Sequence, residues 1–330
     1  MEKLLDALGI DRSSSIGEIY LDAFYSIALS ASGRLSPLCW VVMLLICLAL
    51  YLRRQPGESF WKWVFPRRSY SGATFWVDIK LMFFNALLGA FGLFAIVGFA
   101  PLVANSLQNL LAGETAPQSN LSPLVITLIL FAAADLSTYL VHRLGHEWRP
   151  FWPFHAVHHS AEELNPFTVN RKHPVYSLVS SFVRGLLTGL VQGVLLGLLV
   201  GKIEFATILG ANVFIYAFNV TGANLRHTHI WLSYGPVLEH ILISPAQHQV
   251  HHSIDPKHFN KNYGQTFAIW DWMFGSLYIP KGREELTFGL ADGRGKPLKQ
   301  IHPTLRAALI EPFVTSARRK TEYAEASQEE

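Results

Sequence analysis

The chain alternates apolar runs long enough to cross a bilayer with polar stretches that are not. Five runs stand out: about Leu35–Leu52, Leu81–Leu102, Leu121–Val141, Val175–Val200 and Ile203–Thr221. A spanning helix needs about 20 predominantly apolar residues. Only Gly201 and Lys202 separate the last two runs, so these are expected to form a tight hairpin or a bent pair as readily as two full crossings. The expected architecture is all-α, an integral membrane bundle of about four to five spans. Arg53 and Arg54 close the first run, and the stretch holding Phe60, Trp61, Trp63, Phe65, Arg67 and Arg68 suits the membrane interface. The segment Asn105 to Asn120 holds Glu114 but no Lys or Arg, which assigns it away from the cytoplasm and Arg53 to Lys80 towards it. On that count the polar stretch from His142 to His173 and everything after Thr221 lie on the cytoplasmic side.

Residues 1–120 are accordingly read as N-terminal spans and interfacial segments, 121–280 as the functional region, and 281–330 as a C-terminal cytoplasmic segment with a disordered tail. Composition agrees, since 50% of residues are hydrophobic and only 15% charged. A net charge of +3, without basic residues interleaved with aromatics, gives no nucleic-acid pattern. Met1 to Asp22 lacks the apolar core and cleavage site of a signal peptide, so the first span is expected to stay in the mature protein. Cys39 and Cys47 sit eight helical steps apart, about 12 Å, which is too far for a disulfide.

The candidate chemistry lies in histidine spacing. Asp135, Tyr139, His142 and His146 step by four, three and four, which puts them on one helix face. His155, His158 and His159 follow as H-x-x-H-H, and His248, His251 and His252 repeat that spacing. A lone histidine is ordinarily a surface or hydrogen-bonded core residue. Three clusters are different, because neutral rings would each need partners for both nitrogens and protonated rings would repel. Metal binding satisfies all of them at once. His146-Glu147 is not continued as H-E-x-x-H, which excludes the zinc-protease geometry. A metal transporter or a protein with a purely structural metal is the alternative. Carriers place polar ligands near the middle of their spans and often in paired repeats, whereas these boxes begin where the spans end.

Together these residues resemble the fatty acid hydroxylase/sterol desaturase superfamily of membrane histidine-box di-iron oxygenases, over roughly Leu124 to Gly275. The resemblance extends to Asn165, to Arg171-Lys172-His173-Pro174, to Arg226-His227-Thr228-His229 with Gly235, Pro236 and Glu239, and to Asn262-Tyr263-Gly264 with Trp270-Asp271 and Phe274-Gly275. The pattern is nearest to alkylglycerol monooxygenase-like and sterol desaturase-like members. It implies a dinuclear site in a cytoplasmic helical cap, built from His142, His146, His155, His158, His159, His227, His248, His251 and His252. His173 and His229 are further candidates, either as ligands, as groups that hold a ligand, or as solvated neighbours. The implied cofactors are two iron ions, with zinc possible in purified protein, and dioxygen as co-substrate. The implied reaction is hydroxylation or desaturation at an unactivated C–H position of a sterol, fatty acyl, glyceryl ether or similar lipid. A separate electron donor of the cytochrome b5, ferredoxin or reductase type is implied, with Arg143, Arg149, Lys257 and Lys261 as candidate docking charges.

Each ligating ring also wants its second nitrogen held by an acceptor, for which Asp135, Glu162, Glu163, Asp255 and Asp271 are candidates. Asp135 is the first of these, since an ionisable group inside an apolar span demands a partner. Tyr139, on the same face, is placed with it as a supporting catalytic residue. Asn262 to Gly264 reads as a turn, and His240, His258 and His302 as ordinary residues.

Overall fold

A computed structural model of the chain describes residues 35–90, 100–112, 121–200, 212–221 and 223–326. Their regular structure is helical: α1 (Pro37–Arg54), α2 (Phe60–Val64), α3 (Arg67–Ser71), α4 (Ala73–Ala90), α5 (Ala100–Ala112), α6 (Pro123–Glu147), α7 (Trp152–His159), α8 (Pro174–Leu195), α9 (Asn212–Val220), α10 (Pro245–His251), α11 (Ile269–Met273) and α12 (Leu305–Ala326). Isolated β-bridges, such as Leu242 with Phe267 and Ser253 with Phe288, tie the loops after α9.

One local device starts many of these elements. A capping residue followed by proline begins α1 (Ser36-Pro37), α6 (Ser122-Pro123), α8 (His173-Pro174) and α10 (Ser244-Pro245). The short 3₁₀ turns at Asn165-Pro166 and Asp255-Pro256 use it too. The cap's side chain accepts a backbone N–H that the first turn cannot satisfy, and proline at the next position has no N–H to satisfy.

Among the described residues, three helices have the length and apolarity of membrane spans: Pro37–Arg54, Pro123–Glu147 and Pro174–Leu198. They correspond to the first, third and fourth expected runs. The second and fifth, Leu81–Leu102 and Ile203–Thr221, fall in part on residues outside those described. On α1 the usual surface pattern is inverted, with Leu38, Val41, Leu45, Leu48 and Leu52 exposed and Cys39, Met43 and Cys47 buried. An apolar exposed stripe suits lipid as its solvent. The two cysteines are free. At the other end of the chain, α12 continues to Ala326, inside the stretch expected to be disordered, and residues 327–330 lie outside those described.

α5 packs on α8 and on the helical turn that continues it, Leu196–Val200, through a notch of small residues. A Cβ on Gly189 would lie 2.7 Å from the Ala100 carbonyl, on Gly193 2.8 Å from Leu107 Cβ, and on Gly197 2.7 Å from Leu111 Cβ. Four-residue spacing puts these glycines on one helix face, where the absence of side chains lets two backbones approach. Gln192 on α8 donates to the Leu130 carbonyl of α6 at 2.8 Å, which fixes α8 against the helix that carries the first histidines.

The C-terminal ends of α1 and α6 and the N-terminal end of α8 meet the polar segments. There Arg54 donates to the Trp231 carbonyl at 2.6 Å, and Asn85 on α4 donates to the Lys172 carbonyl at 2.8 Å. A fully buried ion pair, Arg171 with Asp78 of α4 at 3.0 Å, anchors the junction. Asp78 also accepts from Asn165 and Thr168, while Arg171 donates to the Val157 carbonyl and to Ser160. That last pair of contacts fixes the C-terminal turn of α7, which carries His158 and His159.

Candidate metal centre

α6 delivers His142 and His146 in its last turns, and Gly145 between them permits the next contact. A Cβ there would stand 3.1 Å from the Tyr176 ring and 3.4 Å from His155 Cγ, so glycine lets α7 and α8 close on α6. Tyr176 stacks on His155 with ring centroids 4.4 Å apart. α7 supplies His155, His158 and His159, and the 3₁₀ turn Ala223–His227 supplies His227. α10 supplies the last three, held by a reciprocal cap between Ser244 and Gln247. Gln249, between the histidines of α10, donates to the carbonyls of Leu225 at 3.1 Å and Ile230 at 3.0 Å, so His227 and α10 move as one piece.

Nine rings converge and separate into two groups. His142, His146, His155, His159 and His251 form one, and His158, His227, His248 and His252 form the other; within each group the potential ligand atoms lie within 4.8 Å of one another. Each H-x-x-H-H box serves both groups. His155 and His159 join the first while His158 joins the second, and His248 and His252 join the second while His251 joins the first. Positions i and i+4 share a helix face, and i+3 lies about 100° from i+4, so one short helix addresses two neighbouring points.

The ring nitrogens fit metal ions better than they fit one another. His227 Nε2 is 3.3 Å from His158 Nε2 and 3.1 Å from His248 Nε2, and His155 Nε2 is 3.0 Å from His146 Nε2. His227 Nε2 carries either one proton or one lone pair, too little for a good hydrogen bond to both rings. Metal–nitrogen bonds of about 2.1 Å at right angles place neighbouring nitrogens about 3 Å apart, as observed. His159, His251 and His252 each bury an Nε2 with no protein partner. Burial first, and neighbouring rings second, hold the pKa values of His155, His158, His159, His248, His251 and His252 well below 6.5, so the rings are neutral and their lone pairs available at neutral pH.

The acceptors that orient the rings are backbone carbonyls. His142 Nδ1 donates to the Tyr263 carbonyl at 2.7 Å and His251 Nδ1 to the Lys261 carbonyl at 2.8 Å, which leaves each Nε2 for the site. The expected carboxylates act one step further out. Asp135 accepts from the backbone N–H groups of Thr266 and Phe267 and from the Trp270 indole, each at 3.0 Å. Asp271 accepts from Tyr263 N–H at 2.8 Å, Gly264 N–H at 2.7 Å and Ser276 Oγ at 2.6 Å. Burial pushes the Asp271 carboxyl up to about 6 against these donors. The two acids therefore clamp the loop that presents the carbonyls, and neither touches a histidine ring. Tyr139 is likewise off the site, with its hydroxyl 3.0 Å from Ser276 Oγ. Glu163 bonds Ser69, Asp255 caps its own turn, and Glu162 lies by Gly289.

His173 and His229 stand outside both groups. His173 caps α8, accepting Val175 N–H at 3.1 Å, and its Nε2 donates to the Leu309 carbonyl at 3.1 Å, so both nitrogens are used. His229 donates to the Trp63 carbonyl at 2.7 Å and packs edge-on against that indole. Asp78, the only acid within α4, carries no signal in the sequence, whereas the expected turn at Asn262 to Gly264 is present. Asn262, at φ 56°, bonds the carbonyls of Gln247 and Tyr278 and holds the loop beside α10.

Two cavities open on the histidines. One of about 400 Å³ reaches His142, His155, His158, His227 and His248 from beside α6 and α8. The other, about 390 Å³, reaches His146, His159, His251 and His252 from the side of residues 289–302.

Residues 127–276, which include all nine converging histidines, match the fatty acid hydroxylase family model. Over that stretch the chain resembles the fatty acid hydroxylase family. Among curated proteins it is 31% identical to an alkylglycerol monooxygenase of Xenopus tropicalis over 49% of this chain and 32% of that protein. It is 28% identical to an ornithine lipid hydroxylase of Rhizobium tropici over 83% of this chain and 74% of that protein. A Delta(7)-sterol 5(6)-desaturase of Aspergillus fumigatus is 27% identical over 54% of this chain and 59% of its own length. The chain thus spans about a third of the alkylglycerol monooxygenase it matches. No solved structure matches it.

Proposed function

We propose that the protein is an oxygen-dependent di-iron membrane oxidoreductase that hydroxylates or desaturates an unactivated C–H position of a lipid. The observation that carries this reading is the sorting of nine buried histidines into a group of five and a group of four. The first group holds one ion through His142, His146, His155, His159 and His251. The second holds its partner through His158, His227, His248 and His252. Iron accepts imidazole nitrogen readily, and neither group fills a six-fold shell. The relatives' names, alkylglycerol, ornithine lipid and sterol, all denote lipids.

When bound, the two irons supply the redox chemistry by which dioxygen oxidises a C–H bond. The chain's residues supply placement. The carbonyls of Tyr263 and Lys261 fix which nitrogen of His142 and His251 faces the metal, and Asp135 and Asp271 keep those carbonyls in place. Tyr176 and Trp152 close over the rings of His155 and His146, with centroids 4.4 Å and 5.1 Å away, and exclude water from them. The cavity beside α6 and α8 takes the part of the lipid that is oxidised. Arg53 and Arg54 at the histidine end of α1 support a cytoplasmic orientation of that face, from which a separate donor of the cytochrome b5, ferredoxin or reductase type would deliver electrons.

The test is product analysis. Iron-supplied protein in lipid nanodiscs, given a reductant and heavy-isotope dioxygen, should convert ornithine lipid, an alkylglycerol, a sterol or a fatty acyl lipid to a labelled alcohol, or to an alkene two hydrogens lighter. Absence of any oxygen-dependent product across those four classes would overturn the reading.

A further inference from the structure

The cavity beside α6 and α8 has a wall that lipid oxidation alone does not explain. Besides its five histidines it is lined by Lys172, Arg184 and Arg226 and by the polar Asn170, Ser180 and Gln265, and no Asp or Glu lines it. A purely apolar substrate would leave Arg184 facing hydrocarbon, and metal ions on the histidines would add further positive charge. Arg184 is the most telling. It lies ten residues into α8, a helix with the apolarity of a membrane span, where an ionisable side chain marks a functional site by default. Among the described residues its hydrogen bond goes to a neutral partner, Ser181 Oγ at 3.3 Å, and no carboxylate pairs with it. Arg226 is buried, donates to the Gln265 carbonyl and lies 4.8 Å from the centre of the Phe218 ring. A cavity of about 400 Å³ holds something of small-molecule size, not a whole lipid. Whatever meets the cations is therefore a close neighbour of whatever meets the histidines.

The geometry points to a lipid substrate with an acidic head group, a carboxylate or phosphate held by Lys172, Arg184 and Arg226, so that the carbon oxidised lies in the head group or the chain next to it. This rests on the oxygenase reading and narrows it to a substrate class. Arg184 and Lys172 are then specificity-determining: a guanidinium pairs with a carboxylate or phosphate through two parallel hydrogen bonds, which a neutral ester cannot match.

The experiment compares ornithine lipid with its carboxyl methyl ester, the acyl chains being identical, on full-length protein in nanodiscs. Binding is followed on zinc-loaded protein, and turnover on iron-loaded protein. The acid should bind at least tenfold more tightly than the ester. Arg184→Gln should abolish that preference by weakening the acid alone, and Arg184→Lys should restore part of it. Phosphatidic acid should compete, whereas inorganic phosphate at the same concentration should not. Equal binding of acid and ester to the native protein would overturn the inference, as would displacement of the lipid by inorganic phosphate alone. A charge-dependent preference would leave the head-group site standing even if neither lipid were oxidised, and the oxygenase reading would then fall only if the alkylglycerol, sterol and fatty acyl lipids also gave no product. Oxidation of both lipids with no preference would remove the head-group site and leave the oxygenase reading standing.

Discussion

His158 and His159 are adjacent in sequence but belong to different groups, with their ring planes 87° apart and centroids separated by 5.5 Å. His251 and His252 repeat the relationship, at 89° and 5.4 Å. Each adjacent pair therefore reaches both histidine groups. Stacking of His159 on His252, with centroids 4.4 Å apart, joins the groups across the two helices. Variants should obey this sorting. His158→Ala and His248→Ala, in one group, should have strongly non-additive effects on metal affinity, whereas His158→Ala and His159→Ala should lose metal in two separable steps. Competition titrations with a chelator check this, and equal coupling in both double variants would refute it.

Asp78 and Arg171 are both fully buried. Removing one partner leaves an uncompensated charge, which costs about 3–5 kcal/mol in buried pairs. Asp78→Ala should lower the unfolding midpoint and loosen α7, reducing metal retention although Asp78 touches no histidine. The double variant Asp78→Ala/Arg171→Met should recover much of the stability. Denaturant unfolding of the three proteins decides it, and a double variant no better than the single would contradict the buried-charge explanation.

Asp135 acts through three donors on one loop. Asp135→Ala leaves the buried Thr266 N–H unpartnered, at about 1–3 kcal/mol, and the partly buried Phe267 N–H and Trp270 indole N–H without their acceptor. The Tyr263 carbonyl should then hold His142 less firmly. Dissociation of metal should accelerate tenfold or more, and Asp135→Asn, which keeps one acceptor, should fall between. Unchanged metal release in the alanine variant would show that the clamp does not reach the site.

His302 gives a pH dependence with a definite sign. Burial, with Arg171 nearby, holds its pKa down to about 3, against about 6.5 in an unfolded chain. Below pH 6.5 the unfolded chain takes up a proton that the folded protein refuses, so stability falls as pH drops towards 3, by about 1.4 kcal/mol per pH unit. His302→Gln should flatten the fall in melting temperature between pH 7 and pH 5 relative to the native protein. Parallel curves for the two proteins would contradict the burial effect.

Much of the site was legible because helix periodicity is a local rule. The spacing of His142 with His146, and the two H-x-x-H-H boxes, fixed which rings share a face before any fold was known. What could not be read was which groups lie opposite. His173 looked like a ligand beside the boxes, yet the proline after it marks it as a helix cap, a signal present in the sequence. His229 offered no such signal, because its partner is the Trp63 carbonyl, 166 positions away. The acceptors for His142 and His251 proved to be carbonyls, which any residue provides, so searching for carboxylates found the clamps and missed the contacts. Lys172, Arg184 and Arg226 come from three separate segments, and only folding places them in one cavity.

The number of metal ions bound per chain tests the two histidine groups most directly. Full-length protein, reconstituted anaerobically with ferrous iron and freed of excess metal, should contain two irons per chain by elemental mass spectrometry with amino-acid quantification. One iron per chain, or none, would contradict the assignment of the nine histidines to two metal positions.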